Sequence, residues 1–386
     1  MKKLLCTVLS TVLAMSSAAA LNMSAYADSA NTQQVSYNYW YNSSTGYTDE
    51  NVHTRQMEKL DRGLIAIKTD GGVYLSWRLF DSEDNIFGSA DKNVSFNVYR
   101  DGKKISEVAT KTNYVDSTVG TNYSVAPVIN GVEGEKCNPV TAYNNSYFDI
   151  PLSKPDDETI YDPSGNELAT YSFFPADCST GDVDGDGEYE IIVKWTSSEH
   201  DVGSPGDPAY SGTVHLAAYK LDGTKLWKND IALGKNVYSS AHTLQFLVYD
   251  FDGDGKSEVM CQTSLGSKDG QGKYVSNAAQ TDEEIKAITD EENSTADYRG
   301  YGRITKGKEF LTVFNGETGV AMDTINLPTT RGSENGVDYG DDFGNRSNRF
   351  VSDIAYLDGE KPYAIYLRGY YFGRNGKQRT SIAGIS

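Results

Sequence analysis

The sequence predicts an all-β chain, with a β-sandwich followed by the first sheets of an incomplete β-propeller. Three observations lead there. Short apolar or alternating runs recur between turns rich in Gly, Asp and Asn, which is the punctuation of strands. A unit made of an acidic turn, a strand, a long excursion and a hairpin occurs twice and begins a third time. Repeated units of this kind are expected of propeller blades, each a four-stranded sheet.

Taken in order, the chain opens with a leader. Lys2 and Lys3, the apolar run from Leu4 to Leu13 and the small-x-small site Ala25-Tyr26-Ala27 read as a secretory signal peptide over residues 1–27. The apolar run is too short to span a bilayer, and no later stretch is long and apolar enough. A secreted chain starting near Asp28 is expected, about 360 residues long, the length of two or three domains. Residues 28–54 are rich in Asn, Ser, Thr, Tyr and Gln without a period, and read as a polar linker.

Residues 55–150 read as the sandwich. Arg62–Lys68 and Val73–Leu79 flank a Gly71-Gly72 turn, with Trp77 a core anchor. Phe96–Arg100 and Lys103–Ile105 flank the turn Asp101-Gly102, a hairpin signal, and Asn113–Asp116 and Tyr123–Val128 follow. The order of Trp, Tyr-Arg-Asp-Gly and Tyr-Val-Asp resembles fibronectin type III domains.

The repeat fills residues 151–386. One copy runs from Gly181 through Glu190 into Ile191–Trp195, the other from Tyr249 through Glu258 into Val259–Gln262. Hairpin patterns follow at Val214–Trp227 and Phe310–Gly319. A third unit begins at Phe350 and keeps the Asp358-Gly359 turn without the acidic triplet. Two units and part of a third cannot close a ring, so the chain is read as the first part of something longer, expected to be inactive alone. The rival arrangement is a short open β-solenoid.

In the first acidic turn Asp182, Asp184 and Asp186 stand at positions 1, 3 and 5. Gly187 permits the sharp bend, the carbonyl of Glu188 falls at position 7, and Glu190 at position 9. Asp250, Asp252, Asp254, Gly255, Lys256 and Glu258 repeat the arrangement. Alternate oxygens on a curled turn surround a hard cation, which points to Ca2+. Position 12 is Val193 or Cys261, where an EF-hand needs a bidentate Glu, and a strand follows instead of a helix. The competing reading, an acidic turn without metal, leaves clustered carboxylates uncompensated.

The net charge of −19 argues against nucleic acid or an anionic membrane as a partner. The cysteines beyond the leader, Cys137, Cys178 and Cys261, form neither a disulfide framework nor a CxxC pair, and Cys178 is expected to be buried. A monomer is expected.

Several stretches resemble the bacterial rhamnogalacturonan lyases of polysaccharide lyase family 11. They are Gln56–Gly63, Asp177–Gly187, Ala241–Gly255, Leu311–Gly316, Tyr339–Arg346, Ala355–Gly359 and Arg368–Tyr371. The resemblance implies an eight-bladed calcium-binding propeller in the full-length family, preceded by a β domain. The implied substrate is rhamnogalacturonan I, the rhamnose–galacturonate backbone of pectin, cut by β-elimination. It also implies that Asp177 joins the first acidic turn around one ion, and that His242 is a ligand or site residue. Ala176 and Thr196 depart from the family, which often has Asn and Asp there for sugar binding. Subsite details and endo or exo action stay open.

Elimination needs a neutralised uronate carboxylate, a base at C5 and an acid at the leaving oxygen. Arg368, Lys194 and Arg349 are the catalytic candidates, with Arg368 foremost for binding the carboxylate through its fork. Arg346, Tyr370 and Tyr371 are the substrate-binding candidates. Bland readings stand beside these: Lys194 as a solvent-facing strand residue, His242 as a turn cap, Arg346 and Arg349 as bridges between blades and the tyrosine pair as core or stacking. The alternative function is a non-catalytic calcium-propeller that binds carbohydrate or mediates adhesion.

Overall fold

The computed structural model describes residues 32–35, 39–42, 47–49, 53–56, 60–80, 83, 93–109, 111–161, 164–197, 212–235, 237, 243–277, 281–293, 307–330, 339, 346–369 and 381–385. The expected leader lies outside them. The stretch read as a linker is not structureless. It contains β1 (Thr32–Val35), β2 (Tyr39–Asn42), β3 (Tyr47–Asp49) and β4 (His53–Gln56), paired as β1–β4 and β2–β3. Backbone pairing needs no particular side-chain period, so a polar composition without one concealed these ribbons.

The sandwich is built from β5 (Ile65–Thr69), β6 (Gly72–Ser76), β7 (Val94–Arg100), β8 (Lys103–Ala109), β9 (Asn113–Asp116), β10 (Asn122–Ile129), β11 (Val132–Glu133) and β12 (Val140–Thr141). One sheet has the order β5-β6-β9; the other is β11-β10-β7-β8, with β12 also on β10. Alternate residues point inward, as the period of a strand requires. Ala66, Val73, Leu75 and Trp77 of the first sheet meet Phe96, Val98, Tyr123 and Val125 of the second in one core. Trp77 packs edge-on against Phe96 with ring centroids 5.4 Å apart. The β7–β8 turn has φ of 49° at Asp101 and 77° at Gly102, the double positive φ of a type I′ hairpin. A buried ion pair, Arg62 to Glu83 at 2.7 and 2.8 Å, ties the start of this sheet to the loop after it.

A hairpin of β13 (Glu158–Tyr161) and β14 (Glu167–Tyr171) precedes two sheets of the same design. The first is β15 (Phe174–Gly181), β16 (Glu190–Thr196), β17 (His215–Tyr219) and β18 (Ile231–Ala232). The second is β19 (Phe246–Tyr249), β20 (Glu258–Ser264), β21 (Glu309–Phe314) and β22 (Ala321–Asn326). Each is antiparallel with its strands in chain order. A third sheet has β23 (Phe350–Ala355), β24 (Tyr363–Arg368) and β25 (Ser381–Ile385). The excursion between β20 and β21 holds a helix, α1 (Asp282–Asn293), that the repeat pattern did not announce. Its start is a capping box: Thr281 Oγ1 accepts from Glu284 N–H, and the Glu284 carboxylate accepts from Thr281 N–H.

The three sheets stack face to face. Ile192, Leu216 and Ala218 of the first sheet meet Phe246, Val248, Val259, Cys261 and Phe314 of the second. Trp227 reaches across with its Nε1–H on the Gly316 carbonyl at 2.7 Å. Leu247, Met260 and Leu311 face the other way, onto Phe350, Ala364 and Tyr366 of the third sheet. The second sheet is therefore covered on both faces, which is why every residue of β20 is buried. The first strands β15, β19 and β23 lie beside one another. Among the described residues no sheet closes on itself.

Replacing Trp77 by Ala should lower the free energy of unfolding by about 3–5 kcal/mol, the usual cost of deleting a buried aromatic. Urea denaturation followed by tryptophan fluorescence measures it. An unshifted midpoint would show that the sandwich core does not depend on this side chain.

Candidate functional site

The two acidic turns join the first and second strands of successive sheets and superpose bond for bond. Asp182 accepts from the N–H groups of Gly185 (2.7 Å) and Gly187 (2.9 Å); Asp250 accepts from those of Gly253 (2.6 Å) and Gly255 (3.0 Å). Glu190 accepts from Val183 N–H and Glu258 from Phe251 N–H. Asp184 and Asp252 accept from the second residue onward, as do Asp186 and Asp254, whose donors are Glu188 and Lys256. The bends place Gly185, Gly187, Gly253 and Gly255 at φ of 80–91°, a region that costs glycine nothing. One carboxylate thus organises each turn and also stands in the group of acids that its bend brings together.

Carboxylate oxygens of Asp182, Asp184 and Glu190 come within 4.8 Å of one another, and so do those of Asp250, Asp252 and Asp254. Burial pushes Glu190 up to about 7 and Glu258 up to about 9, with neighbouring aspartates adding to both. Asp250 rises to about 6, chiefly by burial. Half-buried carboxylates facing each other without a counter-charge are costly. An all-oxygen donor set of this curvature fits a hard divalent cation. The first turn also has a tethered cation: Lys220 Nζ lies 2.6 Å from Asp184 and 3.1 Å from Asp186. In the second turn Lys256, expected to give its carbonyl, directs its ammonium to Glu317 at 2.5 Å.

Asp177 does not join the first turn, which corrects the expectation. It stands on β15 opposite Lys194, five residues up an extended strand from Asp182, or about 16 Å. Its carboxylate lies 3.8 Å from Lys194 Nζ. Lys194 is fully buried rather than facing solvent, and its ammonium donates to the carbonyls of Thr243 (2.9 Å) and Leu244 (3.3 Å). Burial depresses its pKa, partly offset by Asp177. Lys194 is thus a strut between the first sheet and the segment leading to the second.

The arginines gather at the opposite end of the sheets from the acidic turns. Arg346 is half-buried and begins the short helical turn Arg346–Asn348, and Arg349, buried, follows it. Arg368 corrects a second expectation. Its fork grips Glu309 bidentately at 2.7 and 2.8 Å, Nε donates to Ser347 O and a further N–H donates to Thr329 O. Fully buried, it braces the second sheet and the 346–348 turn rather than offering a fork to a ligand. Its partner Glu309 lies 59 residues away with no local signal to announce the pair. His242, Tyr370 and Tyr371 lie outside the described residues. Cys178 is exposed instead of buried; Cys137 and Cys261 are buried free thiols.

Residues 147–375 match the family described as rhamnogalacturonan lyase family 11, C-terminal domain, and residues 55–143 match the rhamnogalacturonan I lyases beta-sheet domain. This chain belongs to rhamnogalacturonan lyase family 11. It is 46% identical over 321 residues to rhamnogalacturonan endolyase YesW of Bacillus subtilis, covering 82% of this chain and 46% of that protein. Identity to the rhamnogalacturonan exolyase YesX of the same organism is 42% over 323 residues, covering 82% and 47%. The solved rhamnogalacturonan lyase of Bacillus licheniformis superposes with a TM-score of 0.67 at 44% identity, over 86% of this chain and 51% of that one. The family 11 chain described here thus spans about half the length of the curated relatives it matches.

Two outcomes test this geometry. Arg368→Leu should destabilise by about 3–5 kcal/mol, since the largely buried Glu309 carboxylate loses its bidentate counter-charge, and adding Glu309→Leu should recover most of it; additive losses would refute the brace. The second concerns the raised carboxyls. A folded value above the ordinary 4.5 of a glutamate gives stability that is complete below 4.5 and is lost as pH rises through about 7 and about 9. With chelator present, the melting temperature should therefore fall across that window, and excess calcium should flatten the fall. A melting temperature independent of pH in chelator would contradict the turn electrostatics.

Proposed function

We propose that this chain is the N-terminal part of a secreted, calcium-dependent rhamnogalacturonan lyase, and that its three stacked sheets are successive blades of a β-propeller. The observation that carries the reading is the family match over residues 147–375, whose curated relatives are named rhamnogalacturonan lyases. Three further features support it. The sheets share strand order, their first strands are neighbours, and the same acidic turn leads into the second strand of the first two. Rhamnogalacturonan I is the substrate proposed, and a monomer the proposed state.

Calcium, when bound, supplies positive charge that fixes the turns entering the blades. The residues proposed to hold it are Asp182, Asp184, Asp186 and Glu190, with the Glu188 carbonyl, and Asp250, Asp252, Asp254 and Glu258, with the Lys256 carbonyl. At the other end Arg346 and Arg349 are the proposed cationic groups that neutralise the uronate carboxylate. That neutralisation acidifies the C5 proton, whose removal expels the C4 oxygen. Arg368 and Lys194 position the segments around them. Tyr370, Tyr371 and His242 remain proposed contacts of the same end.

The full-length protein, supplied with rhamnogalacturonan and calcium, should generate ultraviolet-absorbing unsaturated uronate ends. Arg346→Ala should slow this by about 10²–10³-fold, the scale of losing one charge-stabilising donor, with the circular dichroism of the folded protein retained. Retention by pectin with no product from intact protein would instead favour the non-catalytic carbohydrate-binding reading.

A further inference from the structure

The two faces of the sandwich differ. The outward side chains of β7 and β10 (Ser95, Asn97, Tyr99, Ser124, Ala126 and Val128) are all buried. The outward face of the β5-β6-β9 sheet is open. Across it runs a row formed by Val115, Tyr74, Ile67 and Tyr143: Tyr74 pairs with both Val115 and Ile67, and Ile67 is bridged to Tyr143. Val115 is 53% exposed and Tyr143 44%, and Tyr143 stacks on Phe148 at 5.6 Å with only 13° between the rings. A second row, Ile65, Ser76 and Asn113, runs alongside.

Neither row contains a charged side chain, in a chain whose net charge is −19. Apolar side chains alternate instead with hydroxyl and amide groups that both donate and accept. Two residues further along the same face stands Arg78. Its guanidinium lies over the Tyr189 ring at 4.7 Å and donates to the Asp61 carbonyl at 3.2 Å. No ion pair to a carboxylate is made by it among the described residues. From Tyr74 to Arg78 the face is about 14 Å long, at the usual rise per strand residue. Gln56, ahead of the sandwich sheets, donates its amide to Phe251 O, and Arg78 at the strand end reaches Tyr189 of the repeat sheets, while Val115, Tyr143 and Ile65 on the rows are exposed.

We propose that this face binds a polysaccharide chain containing uronate residues, separately from the arginine end of the sheets. Sugar rings offer an apolar C–H face to tyrosine and the aliphatic side chains, and hydroxyls to Ser76, Asn113 and the Tyr74 hydroxyl. The uncharged rows hold no carboxylate to repel a polyanion, and Arg78 pairs with one uronate carboxylate. The substrate class rests on the rhamnogalacturonan reading above, and the location rests on this face alone.

Affinity electrophoresis of this chain through gels containing rhamnogalacturonan tests it without turnover. The wild type should be retarded, and more strongly than in gels containing a neutral galactan. Val115→Asp, which puts a carboxylate on the exposed row, and Tyr143→Ala should each weaken binding about tenfold, equivalent to about 1.4 kcal/mol, at unchanged melting temperature. Arg78→Met should abolish the preference for the uronate polymer. A wild type that is not retarded, variants retarded like the wild type, or equal retention in neutral galactan would each overturn the proposal. Because no bond is cleaved in this assay, such a result is distinguishable from failure of the elimination assay.

Discussion

The rest of the repeat body depends on one arrangement: a single buried aspartate that folds a turn around its own carboxylate. Asp182 and Asp250 each take two glycine N–H groups, and the bend brings Asp184 and Glu190 to the first and Asp252 and Asp254 to the second. The turn then carries more negative charge than its burial tolerates, and the structure answers locally, with Lys220 in one case. The same turns also set the stacking of the sheets. Ser257 N–H in the second turn donates to the Asp182 carbonyl of the first at 2.7 Å. Gly316 then passes so close to Ser257 that a Cβ there would lie 1.9 Å from its carbonyl oxygen.

Much of this was legible in the sequence because it is local. The Asp-x-Asp-x-Asp-Gly spacing, the Asp101-Gly102 hairpin and the alternation around Trp77 are short-range patterns, and short-range geometry determines each of them. What escaped was non-local or unpatterned. Arg368 looked like a ligand fork because nothing within its strand reveals Glu309, which reaches it from the neighbouring sheet. Lys194 looked solvent-facing because strand alternation allows an open face, but it shares the side of β16 with Ile192, which packs against the second sheet. The family resemblance placed Asp177 at the acidic turn, but an extended strand carries it away. The ribbons of the polar N-terminal stretch showed no strand period, although one of them carries Tyr39-Trp40-Tyr41.

The chain separates its charges by position. Carboxylates concentrate at the turns that enter the sheets, and arginines at the far end, where Arg346, Arg349 and Arg368 cluster around one short helical turn. Under the lyase reading proposed above, an acidic protein acting on an acidic polymer needs this kind of segregation, since the long-range field is repulsive and only local groups can reverse it. The buried Arg368–Glu309 pair contributes rigidity to the arginine end rather than charge, because its two members cancel.

Lys220 gives the two acidic turns unequal standing. An incoming ion at the first must evict an ammonium already leashed to Asp184 and Asp186, whereas at the second the nearest lysine is engaged with Glu317. Under the calcium reading the turns therefore fill in sequence, the later one in the chain first, and scarcity of the ion would empty them in reverse.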